Sequence, residues 1–197
     1  MAATEHCTVV ITGASSGIGR ALALEMAGRG HALGLTARRM ALLEQLRDEV
    51  HAAHGKDLCI ELATLDVCQT ASVGPTLHEL FARLGGIDTI VVNAGANDVT
   101  RVGAGDLEKE LNLIQTNLVG AIATINAATE HFLERGKGHI VGISSLASLQ
   151  PIAMQAAYCA SKAGFSMYLD SARVELKRKG IVITDILPGY IKTDIVE

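Results

Sequence analysis

The chain has 197 residues, enough for one domain with a substantial hydrophobic core, and residues 1–197 are predicted to form that single domain. Hydrophobic residues make up 49% of the chain, but no uncharged apolar run approaches the roughly 18 residues of a membrane span. The net charge of -4 gives no reason to expect nucleic-acid binding. The first eight residues contain Glu5 and no apolar stretch, so no secretory signal is expected and a cytoplasmic location is predicted.

Strand-like and helix-like segments alternate along the whole sequence. Apolar runs rich in β-branched residues predict strands at 8–12, 31–36, 58–63, 88–92, 138–144 and 181–186. Helices are predicted between them, at about 17–29, 40–54, 70–84, 106–134 and 156–179. This alternation predicts an α/β fold with a doubly wound parallel sheet, the Rossmann fold, in the strand order 3-2-1-4-5-6. A ligand is expected at the carboxyl ends of the strands, where strands 1 and 4 meet.

The first predicted strand runs into a glycine-rich turn and then a helix. The turn, residues 12–19, reads TGASSGIG. Glycines let a backbone approach a pyrophosphate, and a helix N-terminus offers free N–H groups. A glycine triplet can also be only a tight turn, and the spacing differs from the G-x-G-x-x-G fingerprint, but the strand before it and the helix after it favour phosphate binding. The candidate contacts are Gly13, Ser15, Ser16, Gly17, Ile18 and Gly19.

Arg38 and Arg39 follow the second predicted strand. A dinucleotide without a 2′-phosphate usually meets an acidic residue about 20 positions after the glycine motif. No Asp or Glu occurs between Glu25 and Glu44. A guanidinium binds phosphate through charge-assisted bonds, so NADP is predicted rather than NAD. The alternative is that both arginines are ordinary solvated charges at a strand end.

Tyr158 and Lys162 are four residues apart in the last predicted helix, so they share one of its faces. A free tyrosine has a pKa of about 10, and a nearby cation favours its phenolate form. Together with a nicotinamide site, this pair indicates redox chemistry on a carbonyl or alcohol. Taken alone, Tyr-x-x-x-Lys is more often an amphipathic surface turn, so the interpretation depends on the other motifs.

Together these motifs resemble the short-chain dehydrogenase/reductase family, over residues 7 to about 195. Tyr158 and Lys162 match the family's catalytic pair, and Ser145 lies thirteen residues before the tyrosine. That spacing selects Ser145 over the adjacent Ser144. Neighbours on a strand point to opposite faces, so both serines cannot be directed at one substrate if the strand continues through them. Further matches, in chain order, are Asp66 and Val67, the segment Asn93, Ala94 and Gly95, Asn117 in the long central helix, and Pro188, Gly189, Ile191 and Thr193.

The resemblance implies a role for each catalytic residue. Tyr158 would act as general acid in carbonyl reduction and as base in alcohol oxidation. Lys162 would stabilise its phenolate and hold the nicotinamide ribose, Ser145 would hydrogen-bond the substrate oxygen, and Asn117 would bind a water that passes protons to Lys162. The expected function is NADP-dependent hydride transfer to or from a carbonyl or secondary alcohol. The alternative is a non-catalytic NADP-binding regulatory or scaffold protein.

Family members usually continue past the P-G segment with a substrate loop, another helix and a seventh strand. The C-terminal substrate region is therefore expected to be missing from this chain. A small carbonyl or alcohol compound is the expected substrate, and a homo-oligomer, dimer or tetramer, is expected through the helices around 106–134 and 156–179. No metal site is predicted, because His51 and His54 share a helical turn with no cluster of Cys, Asp or Glu to complete a ligand set.

Overall fold

The computed structural model describes residues 6–191 of the chain, and Thr193 lies outside them. The strands are β1 (Thr8–Thr12), β2 (Ala32–Ala37), β3 (Ile60–Thr64), β4 (Thr89–Val92), β5 (Gly138–Ile143) and β6 (Ile181–Ile186). The α-helices are α1 (Gly17–Gly28), α2 (Met40–His54), α3 (Thr70–Arg83), α4 (Leu107–Ile114), α5 (Ala121–Arg135) and α6 (Ala156–Leu176). Each predicted strand is present, with ends within two residues of the prediction.

All the strand pairs are parallel, and the order is β3-β2-β1-β4-β5-β6. This confirms the predicted doubly wound α/β fold. In the register, Val9 of β1 lies between Leu33 of β2 and Thr89 of β4. From β1 the chain builds β2 and β3 on one side of that strand, and then continues with β4 on its other side. The strand order therefore reverses between β1 and β4, at the carboxyl ends of these two strands. The loops that follow β1 and β4 open a crevice there.

Two hydrophobic layers cover the sheet. On one face, α1 and α2 pack against it through side chains such as Leu43 and Leu46. On the other face, α3, α5 and α6 each contribute one phenylalanine, namely Phe81, Phe132 and Phe165, and none is more than 2% exposed. Burying a side chain of this size stabilises the fold by roughly 1.5–3 kcal/mol. These contacts fix the position of α6, the helix that carries Tyr158 and Lys162.

The segment 106–134 is helical, as predicted, but it is not one regular helix. A π-helical turn, Gln115–Gly120, separates α4 from α5. The Thr116 hydroxyl donates a hydrogen bond to the Asn112 carbonyl at 2.9 Å, a type of bond that competes with the regular helical ladder. Gly120 packs tightly, because an added Cβ would lie 2.7 Å from the Val67 carbonyl oxygen. Such π-helical turns occur often at functional sites, and this one contains Asn117.

The last predicted helix also ends earlier than expected. α6 stops at Leu176, a 3₁₀ turn spans Lys177–Lys179, and Gly180 follows in the left-handed conformation with φ of 75°.

Over residues 6–191, no helix combines the length and the apolar character needed to cross a membrane. In the same part of the chain, no three His, Cys, Asp or Glu residues form a group that could hold a metal ion.

Candidate active site

The glycine-rich turn after β1 is bonded to the loop after β4. The Asn93 side-chain amide donates to the carbonyl oxygens of Thr12 at 2.9 Å and Gly13 at 3.2 Å. In return, the buried Thr12 hydroxyl accepts hydrogen bonds from the backbone N–H groups of Asn93 and Ala94, both at 3.1 Å. Thr12 was not among the predicted site residues, although its place at the end of a buried strand marks it as a polar group that needs partners.

Two glycines of this turn are required by close contacts. Gly13 has φ of +68°, and an added Cβ would lie 2.8 Å from the Ala94 Cα. A Cβ on Gly19 would lie 2.5 Å from the Asn93 side-chain nitrogen. The Asn93 side chain therefore serves to hold the turn in shape, and its amide donors are already in use.

The start of α1 can bind an anion. The helix begins at Gly17, its N-cap Ser16 makes no side-chain capping bond, and its first turn carries no acidic residue. The first N–H groups of the helix are therefore left to other partners, and the helix dipole adds positive potential at the same end. Ile18, in this first turn, lines the cavity that also contains Tyr158. These features fit a site for the pyrophosphate of a dinucleotide, which the first N–H groups of α1 would hold.

The two arginines after β2 are exposed, and one of them reaches the glycine-rich turn. The Arg39 guanidinium Nη2 lies 3.3 Å from the Ser15 hydroxyl and 3.4 Å from the Ser16 hydroxyl. Arg38, the residue before it, is also exposed. A guanidinium and two hydroxyls on one surface are the donors that a phosphate monoester needs.

The loop after β3 lies beside the same crevice. The Leu65 backbone N–H donates to the carbonyl of Ala37, the last residue of β2, at 3.0 Å. An oxygen of the half-buried Asp66 carboxylate accepts the backbone N–H of Cys68 at 3.1 Å, which fixes the side chain in a turn. Val67 is buried and packs against Gly120 of the π-helical turn.

Tyr158 and Lys162 lie on one face of α6. The Lys162 Nζ atom is 5.9 Å from the centroid of the Tyr158 ring and 5.8 Å from that of Phe165. Lys162 is only 6% exposed, and its ammonium donates a hydrogen bond to the Ile143 carbonyl at the end of β5, at 2.9 Å. Two further N–H donors of the ammonium remain for a ligand. Tyr158 lines the cavity in which a substrate would react.

The two serines after β5 differ in their partners. The buried Ser144 hydroxyl contacts Ser166 at 2.8 Å and donates to the Lys162 carbonyl at 3.3 Å. The Ser145 oxygen accepts the backbone N–H of Ala147 at 3.1 Å, which leaves the Ser145 hydroxyl proton available. Both serines border the cavity of Tyr158, but only Ser145 has a hydroxyl proton that is not directed back into the protein.

Asn117 joins three parts of the site. Its side-chain oxygen accepts the Ala96 N–H at 2.7 Å, and its side-chain nitrogen donates to the Ala96 carbonyl at 2.8 Å and to the Ser161 hydroxyl at 3.2 Å. Ser161 in turn donates to the carbonyl of Tyr158 at 2.7 Å. Both N–H donors of the Asn117 amide are therefore used within the protein. The water relay expected at Asn117 stays a prediction.

Pro188 and Gly189, after β6, complete the wall of the cavity. The Leu146 N–H donates to the Pro188 carbonyl at 3.0 Å, so that this segment closes against the turn that follows Ser145. Ile191 borders the same cavity, and Tyr190 does so while remaining 90% exposed. Thr193, the remaining residue of this segment that was expected near the nicotinamide, lies outside residues 6–191.

The cavity beside Tyr158 measures about 180 Å³ and contains residues that the sequence did not indicate. Three carboxamides border it, from Asn97, Gln150 and Gln155, together with aliphatic side chains such as Ile152. The Asn97 oxygen Oδ1 is buried and has no hydrogen-bond partner within residues 6–191. Of the three, only Gln155 could have been found from the sequence, because it lies three residues before Tyr158 at the N-terminus of the same helix. Among the described residues, the lining includes no Asp, Glu, Lys, Arg or His.

A larger depression lies elsewhere on the molecule. It measures about 580 Å³ and is bordered by His6, Asp88, Lys137 and Val182, at the amino ends of the strands. None of the predicted site residues contacts it, and parallel α/β sheets bind their ligands at the opposite edge. The smaller cavity beside Tyr158 is therefore the candidate active site.

Burial changes the ionisation of Lys162. It lowers the pKa of the ammonium from its ordinary value of 10.5 to about 8, because the charged form loses its hydration, and the negative charge of Asp185 opposes this shift. None of the carboxylates in the described part of the chain lies within ion-pair distance of Lys162. A buried cation without a direct counterion destabilises the fold.

Comparison with known proteins agrees with this geometry. A family model described as short chain dehydrogenase matches residues 7–197. The chain belongs to the short-chain dehydrogenase family, a class of α/β oxidoreductases. Among the relatives, an uncharacterized oxidoreductase of Myxococcus xanthus is 40% identical over 195 residues, which are 99% of this chain and 76% of that protein. Dehydrogenase/reductase SDR family member 7 of Mus musculus is 31% identical over 191 residues, 96% of this chain and 56% of that protein.

Solved structures show the same fold. An alcohol dehydrogenase from the archaeon Thermococcus sibiricus, complexed with 5-hydroxy-NADP, matches with a TM-score of 0.88 and 28% identity, over 95% of this chain and 77% of that one. A gluconate 5-dehydrogenase from Burkholderia cenocepacia, in complex with NADP and tartrate, matches with a TM-score of 0.90 and 28% identity, over 98% and 74% of the two chains.

We predict that the buried ammonium makes folding stability depend on pH. Because the pKa of Lys162 is lowered in the folded state, the unfolded chain binds its proton more tightly, and the stability contribution rises between about pH 8 and pH 10.5. The rise should amount to about 3 kcal/mol. Urea unfolding at a series of pH values should show it in the wild type and not in Lys162→Met. Lys56 is exposed, so Lys56→Met is the matched control and should show the same rise of unfolding free energy with pH as the wild type. If Lys162→Met also shows that rise unchanged, the prediction is contradicted.

Proposed function

We propose that this protein transfers a hydride between NADP(H) and the carbonyl or secondary alcohol group of a small molecule. The observation that carries the proposal is the position of Tyr158 and Ser145 on one cavity, with the Lys162 ammonium behind the tyrosine and the glycine-rich turn beside it. A bound nicotinamide supplies or accepts the hydride, while the protein positions the reactants and moves the proton.

Each catalytic residue acts through a group that its surroundings leave available. Ser145 donates its hydroxyl proton to the substrate oxygen, because its own oxygen already accepts the Ala147 N–H. Tyr158 gives its proton to that oxygen during reduction and takes it back during oxidation. The positive charge of Lys162 favours the phenolate that remains. General acid catalysis of this kind contributes typically 10²–10⁴-fold to a rate.

The cofactor part of the proposal is NADP(H) rather than NAD(H). It is supported by the Arg39 guanidinium, which reaches the hydroxyls of Ser15 and Ser16 where a ribose phosphate would lie. NADP or a derivative is also bound in the two solved structures named above. Arg38 adds a second positive charge at the same edge.

The substrate part of the proposal is an uncharged carbonyl compound with polar groups near its reacting carbon. The cavity lining of carboxamides and aliphatic side chains supports this choice. Asn97, whose Oδ1 has no partner in the described residues, can accept a hydrogen bond from a hydroxyl group of the substrate. A strong preference for substrates that carry a carboxylate or phosphate would contradict this part.

The cytoplasm is the proposed location. Cys59, Cys68 and Cys159 form no disulfide, although disulfides are frequent in small secreted domains and rare in cytosolic proteins. This supports the predicted location. Appearance of the protein in a secreted fraction, with its thiols oxidised, would contradict it.

Replacing Tyr158 by Phe removes only the hydroxyl that moves the proton. We predict that NADPH oxidation with a reactive ketone or aldehyde falls at least about 100-fold, while NADPH still binds. Tyr168→Phe, on the same helix, is the matched control, since the Tyr168 hydroxyl bonds only Asn126 in the described structure, and it should keep near-wild-type turnover. If biological activity survives in Tyr158→Phe, the protein is instead a non-catalytic NADP-binding regulator or scaffold.

Replacing both Arg38 and Arg39 by Ala tests the cofactor choice. We predict that NADPH affinity falls by roughly 100-fold, the equivalent of about 3 kcal/mol of charge-assisted bonding, whereas NADH affinity changes little. Fluorescence titration of the two cofactors measures the difference. Arg47→Ala, on the following helix, is the control. Equal weakening of NADPH and NADH would rule out a phosphate contact.

We also propose a homo-oligomer that forms through α4 and α6. These helices pack side by side and expose apolar side chains, Leu107 and Leu111 on α4 and Met167 and Val174 on α6, that are 59–81% exposed. Residues four and seven apart lie on the same face of a helix, so each pair makes an exposed apolar strip along its own helix. Contiguous exposed apolar surface on a protein commonly marks an interface.

Light scattering of the purified protein tests this surface. We predict a mass of two or four chains for the wild type and of one chain for the double variant Leu111→Asp and Met167→Asp, because burying unpaired carboxylates opposes association. Val102→Asp is the control, since Val102 is 83% exposed but lies outside both helices. A monomeric wild type, or an unchanged mass in the double variant, would exclude this interface.

A further inference from the structure

Asp185 is a half-buried acid that has no role in the chemistry proposed above. It lies on β6, opposite Gly142 of β5. Ile181 and Ile183 of the same strand pack in the hydrophobic layer of α6, so Asp185, two residues further along the strand, also faces α6. The oxygen Oδ1 of its carboxylate is buried with no hydrogen-bond partner among the described residues. A carboxylate that is left partly unsatisfied costs free energy, so its presence needs a reason.

Hydrogen bonds and strand pairing place the surroundings of Asp185 close to Lys162. The Ser166 hydroxyl contacts the Ser144 hydroxyl at 2.8 Å, and the Ser144 hydroxyl donates to the Lys162 carbonyl at 3.3 Å. On the other side, the Lys162 ammonium bonds the carbonyl of Ile143, and Ile143 is paired with Ile186, the neighbour of Asp185. Asp185 therefore lies next to the strand end that holds the ammonium.

Within residues 6–191, the charged groups that act on Asp185 are Asp170 and Arg173 from α6, together with Lys162. Burial raises the pKa of Asp185, the nearby Ser166 hydroxyl and the two cations lower it, and Asp170 raises it. Lys162 faces the Tyr158 ring from its own helix, and in the described structure Asp185 is the acid whose charge favours its protonated form.

Building on the proposed function, we infer that Asp185 is a positioning residue, which acts through Lys162 and keeps the ammonium protonated while Tyr158 exchanges its proton. A carboxylate in direct contact would bind the ammonium and block the ribose hydroxyls that this lysine is proposed to hold. A carboxylate on β6 that does not touch the ammonium still supplies a negative charge that favours its protonated form. It leaves the remaining N–H donors of Lys162 free for the ribose. This arrangement explains why an incompletely bonded acid lies at this place in β6.

The test is the titration of Lys162 itself, by nuclear magnetic resonance of protein with isotope-labelled lysine, with the signal assigned by its loss in Lys162→Met. In Asp185→Asn the titration midpoint should fall by about half a pH unit or more. Asp185→Glu, which keeps the charge, should restore most of the shift. Asp48→Asn, which removes an exposed carboxylate from α2, is the control for net charge and should leave the midpoint unchanged.

An unchanged midpoint in Asp185→Asn, or an equal fall in Asp48→Asn, would overturn the inference. If Asp185→Asn does not fold, Asp185→Ser serves in its place and carries the same expectation. In a turnover assay, the loss of activity at high pH should move to lower pH by the same amount as the midpoint. The titration needs no turnover, so a failure of this inference is distinct from a failure of the proposed function, which Tyr158→Phe tests.

Discussion

Hydrogen bonds to the loop after β4 join the glycine-rich turn to α6, and the geometry of the site depends on them. Thr12 and Asn93 bond the turn to the loop after β4. Further along that loop, Ala96 is held on both its N–H and its carbonyl by Asn117. Asn117 then bonds Ser161, which bonds the carbonyl of the catalytic tyrosine. The proposed phosphate-binding end and the proposed proton-transferring end are thereby held in one arrangement, which is what preorganised catalysis requires.

The same arrangement carries a cost in stability. Lys162 is buried beside two aromatic rings, with a backbone carbonyl as its bonding partner and a carboxylate only in the layer behind. A designed core would avoid such a charge, and the role proposed for Lys162 beside Tyr158 would account for its retention here. The phenylalanines that attach α6 to the sheet supply the packing energy that lets the helix hold this charge in place.

The sequence predicted the sheet well, because buried parallel strands appear as apolar runs and the order of a doubly wound sheet follows from the alternation of elements. It also predicted which loops meet, since parallel strands end at a common edge. The π-helical turn was not predictable, because the local sequence is helical throughout and only the contact of Gly120 with Val67 and the bonds of Asn117 reveal it. Asn97 and Asp185 were missed for a similar reason: their significance comes from neighbours distant in the chain.

The most direct test of this account is to supply NADPH deuterated at its transferable position, together with uncharged ketones and hydroxyketones, and to locate the label in the products by mass spectrometry. The account predicts an alcohol that carries deuterium on the former carbonyl carbon, in an amount that matches the NADPH consumed. If NADPH binds and no carbonyl compound in the set acquires the label, while the protein retains a biological activity, the central claim that this site performs hydride transfer is contradicted.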